Sequence, residues 1–422
     1  MVIVLFLILI IISIIFGEII ANKNDKVRKK YFLIVIIFVS LININLNIGY
    51  SINGKIYIPS SLIIIFVYLI LSINISIKNK KMRYFNEMFL VIYAIFAFQN
   101  IYLDIIDKNT YVYMLSGYIL IQLLFNFFYL NQNHYNSRIL YKIVISIAIF
   151  NFILSLMQVI TGESLLLGGN TDITYGVNEY AVNRAVGFVG SNNGAGNFAA
   201  ILFPILLYKF LEKKSFINFI ALLGNVIFAI ITFTRIGYLA ILIEFVVFLV
   251  MGIENKKKNI SRAKILFIAS LFAGIVMLLF GNQLIDILFI KRGTTELSRF
   301  NQFNIVLMSI KTINPLLGMG AGQYVYYISK YYGINDIVIH SQYLNALAET
   351  GVIVFGVFIV INIYILIKAT KNAKIKWIPI ATFLGNLICI NFNPNEYYVV
   401  NIFMYYTIMF LLIFANEKQC IE

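Results

Sequence analysis

The stretch "KKSFINFIALLGNVIFAIITFTRIGYLAILIEFVVFLVMGIENKKK", residues 213–258, decides the fold. Two apolar runs, 216–232 and 236–253, lie between two lysine clusters and are joined by a short turn at Arg235. An apolar helix of roughly 20 residues can cross a hydrocarbon core of about 30 Å. Lysine and arginine collect in the cytoplasmic connections of membrane proteins. The stretch therefore predicts two transmembrane helices whose connecting turn faces outward.

The rest of the chain repeats this pattern. Hydrophobic residues make up 61% of the 422 residues and charged residues 12%, whereas about 25% of an ordinary soluble domain is charged. Helices satisfy their backbone polar groups internally, as a bilayer requires. The composition excludes an ordinary soluble domain and predicts an all-α, polytopic protein with a single membrane domain over residues 1–422.

Apolar runs of suitable length predict about 12 or 13 transmembrane helices. They cover residues 2–20, 31–46, 58–77, 88–105, 111–130, 140–160, 189–210, 216–232, 236–253, 265–280, 352–367, 377–390 and 397–415. Every second connection is rich in lysine and arginine and is therefore predicted to be cytoplasmic. The N-terminus is then outside and the C-terminus inside. The first run lacks a preceding basic segment and a clear cleavage site, so we interpret it as a retained span.

The net charge of +15 follows from the same basic connections. Because the lysines lie in short clusters between apolar runs, the charge indicates membrane orientation, and no nucleic-acid partner is expected. The two cysteines, Cys389 and Cys420, show no spacing typical of a metal site or a disulfide framework.

Two of the outward connections are long, 161–188 and 281–351. Long connections inside a compact protein are commonly functional. In the second, apolar residues from Phe300 to Ile310 recur at helical spacing, and Asn314-Pro315 ends the run. The sequence predicts a large extracytoplasmic loop that carries an amphipathic helix and then a glycine-rich turn.

Outward-facing arginines are unusual, and three of them are candidates for a binding site: Arg184, Arg235 and Arg299. A guanidinium presents a planar fork that matches two oxygens of a phosphate or carboxylate. The alternative is that each arginine extends to the lipid headgroups. Three on one face favour an anion site.

His340 lies in "VIHSQYLNALAETG", residues 338–351, beside several polar residues. An imidazole has an unperturbed pKa of about 6.5 and can exchange a proton near neutrality. The alternative is a histidine that caps a helix. No metal is expected, because His134 is predicted to be cytoplasmic and no cysteine or carboxylate pair accompanies His340. Glu244, in the middle of a predicted span, could pair with an arginine or line a substrate path.

Four segments in order resemble the bacterial O-antigen polymerase/ligase superfamily. They are "RAVGFVGSNNGAGNFAAILFP" (184–204), "FTRIGYLA" (233–240), "SRFNQFNIVLMSIKTINPLLGMGAGQY" (298–324) and "HSQYLNALAETGVIVFG" (340–356). The resemblance covers roughly residues 140–415. The chain departs from the family pattern at Asn193, which lacks a preceding proline, and at Ser341-Gln342, where an asparagine is common.

The resemblance implies glycosyl transfer by a GT-C-like membrane enzyme at the outer face of the bacterial cytoplasmic membrane. The donor would be an oligosaccharide on undecaprenyl diphosphate, with no metal or cofactor. Arg235 and Arg299 would stabilise the diphosphate leaving group, and His340 would activate or orient the acceptor hydroxyl. The substrate-binding residues would be Arg184, Asn193, Tyr343 and Glu349.

Several functions remain open on the sequence. A polymerase of O-antigen or capsule repeat units is favoured, and a ligase that transfers glycan to the lipid A-core of lipopolysaccharide is the alternative. A transporter of the same lipid would show repeat symmetry and interrupted helices, and neither is visible. A structural membrane subunit would not need an arginine–histidine set on one side. Membrane lipid, a chain-length regulator and a flippase are the further partners that the polymerase interpretation suggests.

Overall fold

A computed structural model gives the fold. It describes residues 80–132, 137–166, 180–252, 295–334, 339–395 and 398–414, with shorter pieces within 37–66 and at 173–177. The predicted spans at 2–20 and 265–280 lie outside the described residues, as do most of those at 31–46 and 58–77.

Helices make up most of the described chain. They are α1 (Lys80–Tyr102), α2 (Lys108–Leu130), α3 (Ser137–Thr161), α4 (Asn192–Glu212), α5 (Phe216–Ile231), α6 (Arg235–Met251), α7 (Thr295–Ile310), α8 (Tyr324–Tyr332), α9 (Gln342–Asn372), α10 (Trp377–Ile390) and α11 (Val399–Phe414). Among the described residues, α1, α2, α3, α4 and α9 are long and apolar enough to cross a membrane, and α5, α10 and α11 are shorter apolar helices. The prediction of an all-α polytopic membrane protein is confirmed.

Two small antiparallel hairpins accompany the helices and were not predicted. They pair β1 (Asn45–Ser51) with β2 (Gly54–Pro59), and β3 (Thr174–Val177) with β4 (Tyr180–Asn183). β3 and β4 lie in the long connection 161–188, where a hairpin pairs backbone groups that would otherwise need water. Apolar periodicity did not reveal these strands, because each is only four to seven residues long.

Helix α9 is two helices divided at Gly351. The backbone of Gly351 is far from helical, with φ 78° and ψ 174°, a conformation that only glycine adopts readily. Residues 342–350 form a helix beyond the predicted span, and the apolar helix starts at Val352. The predicted start of the span at residue 352 therefore coincides with the break.

Helix α4 lies at the centre of the bundle, where it packs against α5, α6, α10 and α11. Its residues from Gly194 to Leu207 are all buried. It crosses α6 closely, because a Cβ at Gly237 would lie 2.9 Å from the Cα of Gly196. The small residues thereby bring the N-terminal ends of α4 and α6 together, and most of the candidate site is built around these two ends.

Candidate functional site

Arg184 fastens the turn that precedes α6. Its side chain is buried, and its Nε donates to the carbonyl of Thr232 at 2.8 Å. A terminal nitrogen lies 3.4 Å from both the carbonyl of Phe233 and the Oγ1 of Thr234. Phe233 has a positive φ of 50°, which is unusual for a bulky residue. Arg184 therefore stabilises a strained turn immediately before Arg235.

The same turn is joined to the start of α4. Thr234 Oγ1 donates to the backbone carbonyl of Asn192 at 2.8 Å. Arg235 is the first residue of α6, and Asn193 is the second residue of α4; both side chains are half-buried. The N-terminal end of a helix carries a partial positive charge and unpaired backbone N–H groups. Two such ends beside one guanidinium are suited to bind an anion.

A cluster of buried asparagines lies behind these helix ends. Asn197 Nδ2 donates to the carbonyl of Asn393 and to Oδ1 of Asn395, both at 2.8 Å. Asn401 Nδ2 donates to the same Oδ1 at 2.9 Å and to the carbonyl of Gly194 at 2.9 Å. These bonds fix the turn between α10 and α11 against α4. The cluster therefore positions the start of α4.

The segment of His340 is joined to the asparagine cluster by the next residue, Ser341. Ser341 is the N-cap of α9, and its Oγ donates to Oδ1 of Asn391 at 3.1 Å. Asn391 follows the last residue of α10 and begins the turn that contains Asn393 and Asn395. A continuous set of contacts thus runs from the Arg235 turn through α4 and the asparagine turn to the segment of His340, whose side chain is half-buried.

Glu349 holds the glycine-rich loop. Its carboxylate is buried and accepts hydrogen bonds from the backbone N–H groups of Gly322 (2.8 Å) and Tyr324 (3.0 Å). It therefore caps the start of α8, where a negative charge is stabilised by the helix. Burial, and secondarily the charge of Glu349, raise the pKa of Tyr324 to about 12. Substrate binding by Glu349 stays a prediction, and its observed contacts are with the backbone.

The loop also covers the break in α9. The N–H groups of Met319 and Gly320 donate to the carbonyls of Ala348 and Glu349 at 2.9 and 3.0 Å. Gly318 has φ 68°, and a Cβ there would lie 2.6 Å from the Glu349 carbonyl carbon. The predicted glycine-rich turn is therefore correct, and its backbone supplies the partners that the end of helix 342–350 would otherwise lack.

Gln99 was missed by the sequence analysis although it holds this assembly. It is completely buried in α1, and its Nε2 donates to the carbonyls of Leu317 (2.5 Å) and Glu349 (2.8 Å). Its Oε1 accepts from the N–H of Ala321 at 3.3 Å. The available signal was an amide in an otherwise apolar predicted span.

Two predicted site residues remain, Tyr343 and Arg299. Tyr343 packs its half-buried ring against Phe358, with centroids 5.8 Å apart, across the break at Gly351. Arg299 lies in α7, and its side chain is outside the described residues. The structure therefore brings Arg184, Arg235 and Asn193 together at the helix ends.

Glu244 lies away from this region, inside the bundle. Its side chain is fully buried in α6 and contacts Gly385 of α10. Neither carboxylate oxygen has a hydrogen-bond partner among the described residues. Any side chain at residue 385 would collide with Glu244, so glycine makes room for the carboxylate.

Comparison with known proteins finds one similar family. A family model described as O-antigen ligase matches residues 218–359, which include Arg235, the glycine-rich loop and His340. No curated protein matches the chain in sequence. The matched segment contains three of the four motifs that carried the resemblance. Over residues 218–359, this multi-pass membrane protein is therefore similar to O-antigen ligases, and the match supports the resemblance to the O-antigen polymerase/ligase superfamily.

Proposed function

We propose that the protein polymerises a surface polysaccharide at the outer face of the bacterial cytoplasmic membrane. It would transfer glycan between repeat units carried on undecaprenyl diphosphate. The observation that carries the proposal is Arg235 at the N-terminal end of α6, directly beside the N-terminal end of α4. This arrangement suits a diphosphate, which carries the negative charge that two helix ends and a guanidinium favour.

The reaction assigns one task to each group. The acceptor hydroxyl oxygen attacks the anomeric carbon of the donor sugar, and the bond from that carbon to the diphosphate oxygen breaks. The electron pair leaves on the diphosphate, where Arg235 and Arg299 stabilise the developing charge. The hydroxyl proton passes to His340, because an imidazole can accept a proton as a general base.

Arg184 takes a positioning role in this scheme. Its bonds to Thr232, Phe233 and Thr234 fix the direction in which Arg235 leaves the turn. Asn193 at the start of α4 and Tyr343 beyond His340 would contact the substrate.

Purified enzyme and lipid-linked repeat units test the site. Arg235→Lys and Arg299→Lys should lose most polymer, because a lysine cannot bind a diphosphate with two parallel bonds. Arg138→Lys, at an exposed and predicted cytoplasmic position, is the matched control and should form as much polymer as the wild type. If Arg235→Lys or Arg299→Lys forms as much polymer as the wild type, the arginine replaced in that variant does not belong to the site.

The histidine requires a separate comparison. Loss of a general base typically slows a reaction about 10²–10⁴-fold, so His340→Ala should accumulate single repeat units and still bind donor. His134→Ala is the control. If H340A polymerises at a rate within a few-fold of the wild type, His340 only caps a helix. If H340A no longer binds donor, His340 belongs to the phosphate site instead.

The ligase reaction is the second candidate, because the matched family model is described as O-antigen ligase. Both enzymes would use the same donor and differ in acceptor. Incubation of the enzyme with labelled donor and either lipid A-core or a second lipid-linked repeat unit separates them. Label on lipid A-core alone would replace the polymerase assignment.

A further inference from the structure

A cleft lies beside the glycine-rich loop, on the side of the protein predicted to face outward. It has a volume of about 210 Å³ and lies between the α1–α2 connection and the segment from α7 to α8. Its wall includes Asp104, Asn314 and Lys330 together with Tyr326, Tyr327 and Tyr331. Pockets for drug-sized ligands usually measure about 300–1,000 Å³, so this cleft suits a ligand of one or two small rings.

Tyrosine rings form one wall of the cleft. The rings of Tyr327 and Tyr331 have centroids 4.5 Å apart and are inclined at 40°. Tyr331 is 61% exposed, so its ring is available to a ligand. Thr312 Oγ1 lies 3.3 Å from the hydroxyl of Tyr327 and 2.9 Å from that of Tyr332. The contact with Thr312 orients the Tyr327 ring, against which Tyr331 packs.

The floor of the cleft is equally well fixed. Gln323 Oε1 accepts from the N–H groups of Ile106 and Asp107 at 2.9 and 3.0 Å. Its Nε2 donates to the carbonyls of Asp107 and Ala321, both at 3.0 Å. Gln323 thereby joins the α1–α2 connection to the glycine-rich loop. Asp104 and Lys330 add one acidic and one basic group at the edge.

We propose that this cleft binds sugar rings of the glycan that the enzyme extends. A pyranose presents a face of C–H groups that packs on an aromatic ring, and hydroxyls around its edge that bond to carboxylate, amide and ammonium groups. Tyrosines offer such a surface with little loss of conformational freedom. The cleft supplies both kinds of group, within a volume that suits one or two rings.

The position of the cleft connects it with the catalytic region. Gly318 and Met319 line the cleft, and the same loop bonds to the carbonyls of Ala348 and Glu349 in the helix that follows His340. The cleft therefore adjoins the end of the helix that follows His340. This inference rests on the proposed function, because it assumes that the protein handles a glycan chain.

Exposed tyrosines also occur where membrane proteins meet lipid headgroups, and the chain offers a control for that role. Tyr102 ends α1, is 69% exposed and does not line the cleft. If a cleft tyrosine serves only as a membrane anchor, its replacement by alanine should affect sugar binding no more than Tyr102→Ala does.

The experiment measures binding of the free oligosaccharide repeat unit, without lipid or diphosphate, to the full-length protein in nanodiscs. Tyr331→Ala should weaken binding by at least about threefold, and adding Tyr327→Ala by about tenfold, in line with aromatic contacts. Tyr331→Trp should bind as the wild type does, because it keeps an aromatic face. Tyr102→Ala should leave the affinity unchanged.

The outcomes separate this inference from the proposed function. No binding by the wild type, unchanged binding in Y331A, or an equal loss in Y102A would overturn the cleft. The wild-type protein could bind the oligosaccharide through these tyrosines and yet form no polymer and label no lipid A-core. That outcome would support the cleft and reject the proposed glycan transfer. Active wild-type enzyme with normal oligosaccharide binding in Y331A would reject the cleft alone.

Discussion

Replacement of Gly351 by alanine tests how the site is attached to the membrane bundle. Gly351 separates helix 342–350 from the apolar helix that starts at Val352. A Cβ at this position would collide with the carbonyl oxygen of Leu316 and lie 2.9 Å from that of Pro315. The N–H of Val352 donates to the same Pro315 carbonyl at 2.9 Å. The change therefore acts on the backbone of the loop and on the helix together.

The expected magnitude follows from these contacts. A non-glycine residue in this backbone region costs about 1–3 kcal/mol. Loss of the bond between Val352 and Pro315 costs about 0.5–1.5 kcal/mol more. The collision with Leu316 adds to this, because a carbonyl oxygen in a hydrogen-bonded loop cannot move freely. Gly351→Ala should therefore lower the free energy of unfolding by about 2–4 kcal/mol or more.

Two other glycines serve as controls in thermal unfolding of the purified protein. Gly333 has φ 65°, and a Cβ there would lie within 4 Å of no described atom, so alanine there carries only the cost of the left-handed backbone, about 1–2 kcal/mol. Gly356 is helical, and none of the atoms that the structure describes would lie within 4 Å of a Cβ there, so alanine should stabilise the protein slightly. The midpoints should fall in the order Gly356→Ala, Gly333→Ala, Gly351→Ala. A midpoint for G351A at or above that of G356A would refute the reasoning.

Three further outcomes are expected. Arg184→Lys should lower the unfolding midpoint, because a lysine has one nitrogen where the guanidinium uses Nε for the Thr232 carbonyl and a terminal nitrogen for the two groups that follow it. An unchanged midpoint would contradict the role given to this guanidinium. Gln99→Leu should destabilise the protein by about 1–3 kcal/mol, the cost of an unsatisfied buried group, again measured by thermal unfolding. In a background without native cysteines, Lys311→Cys should react with a membrane-impermeant maleimide in intact cells and Lys371→Cys should not; the reverse would invert the predicted topology.

Much of the fold could be predicted because the bilayer imposes one requirement on every span. Apolar length and alternating basic connections located helices that the structure confirms, including α5 and α6 at residues 216–251. The hairpin of β3 and β4 was missed because short strands in a polar connection leave no apolar periodicity. The division of α9 was anticipated only as a span boundary, although Gly351 directly precedes the apolar run.

The site was predictable in part for a similar reason. An arginine predicted to face outward, such as Arg235 or Arg184, stands out because arginine is scarce on that side of membrane proteins. Asparagines in the turn 391–395 and Gln99 carry no charge, so a one-dimensional pattern does not distinguish them from ordinary loop or interfacial residues. Their importance follows from long-range hydrogen bonds, such as that between Asn197 and Asn393, which only the packed bundle defines.

Arg184 and Arg235 illustrate why the scarcity of outward arginines alone does not assign a role. Both lie on the predicted outer side and both suit a phosphate, so the sequence treats them alike. In the structure the Nε of Arg184 is committed to the carbonyl of Thr232, and the residue is buried, whereas Arg235 is half-buried at a helix start. A buried guanidinium that bonds to carbonyls stabilises a turn, and one at a helix start can join its charge to that of the backbone N–H groups. Arg184 therefore supports the turn before Arg235, and we propose Arg235 as the residue that binds the anion.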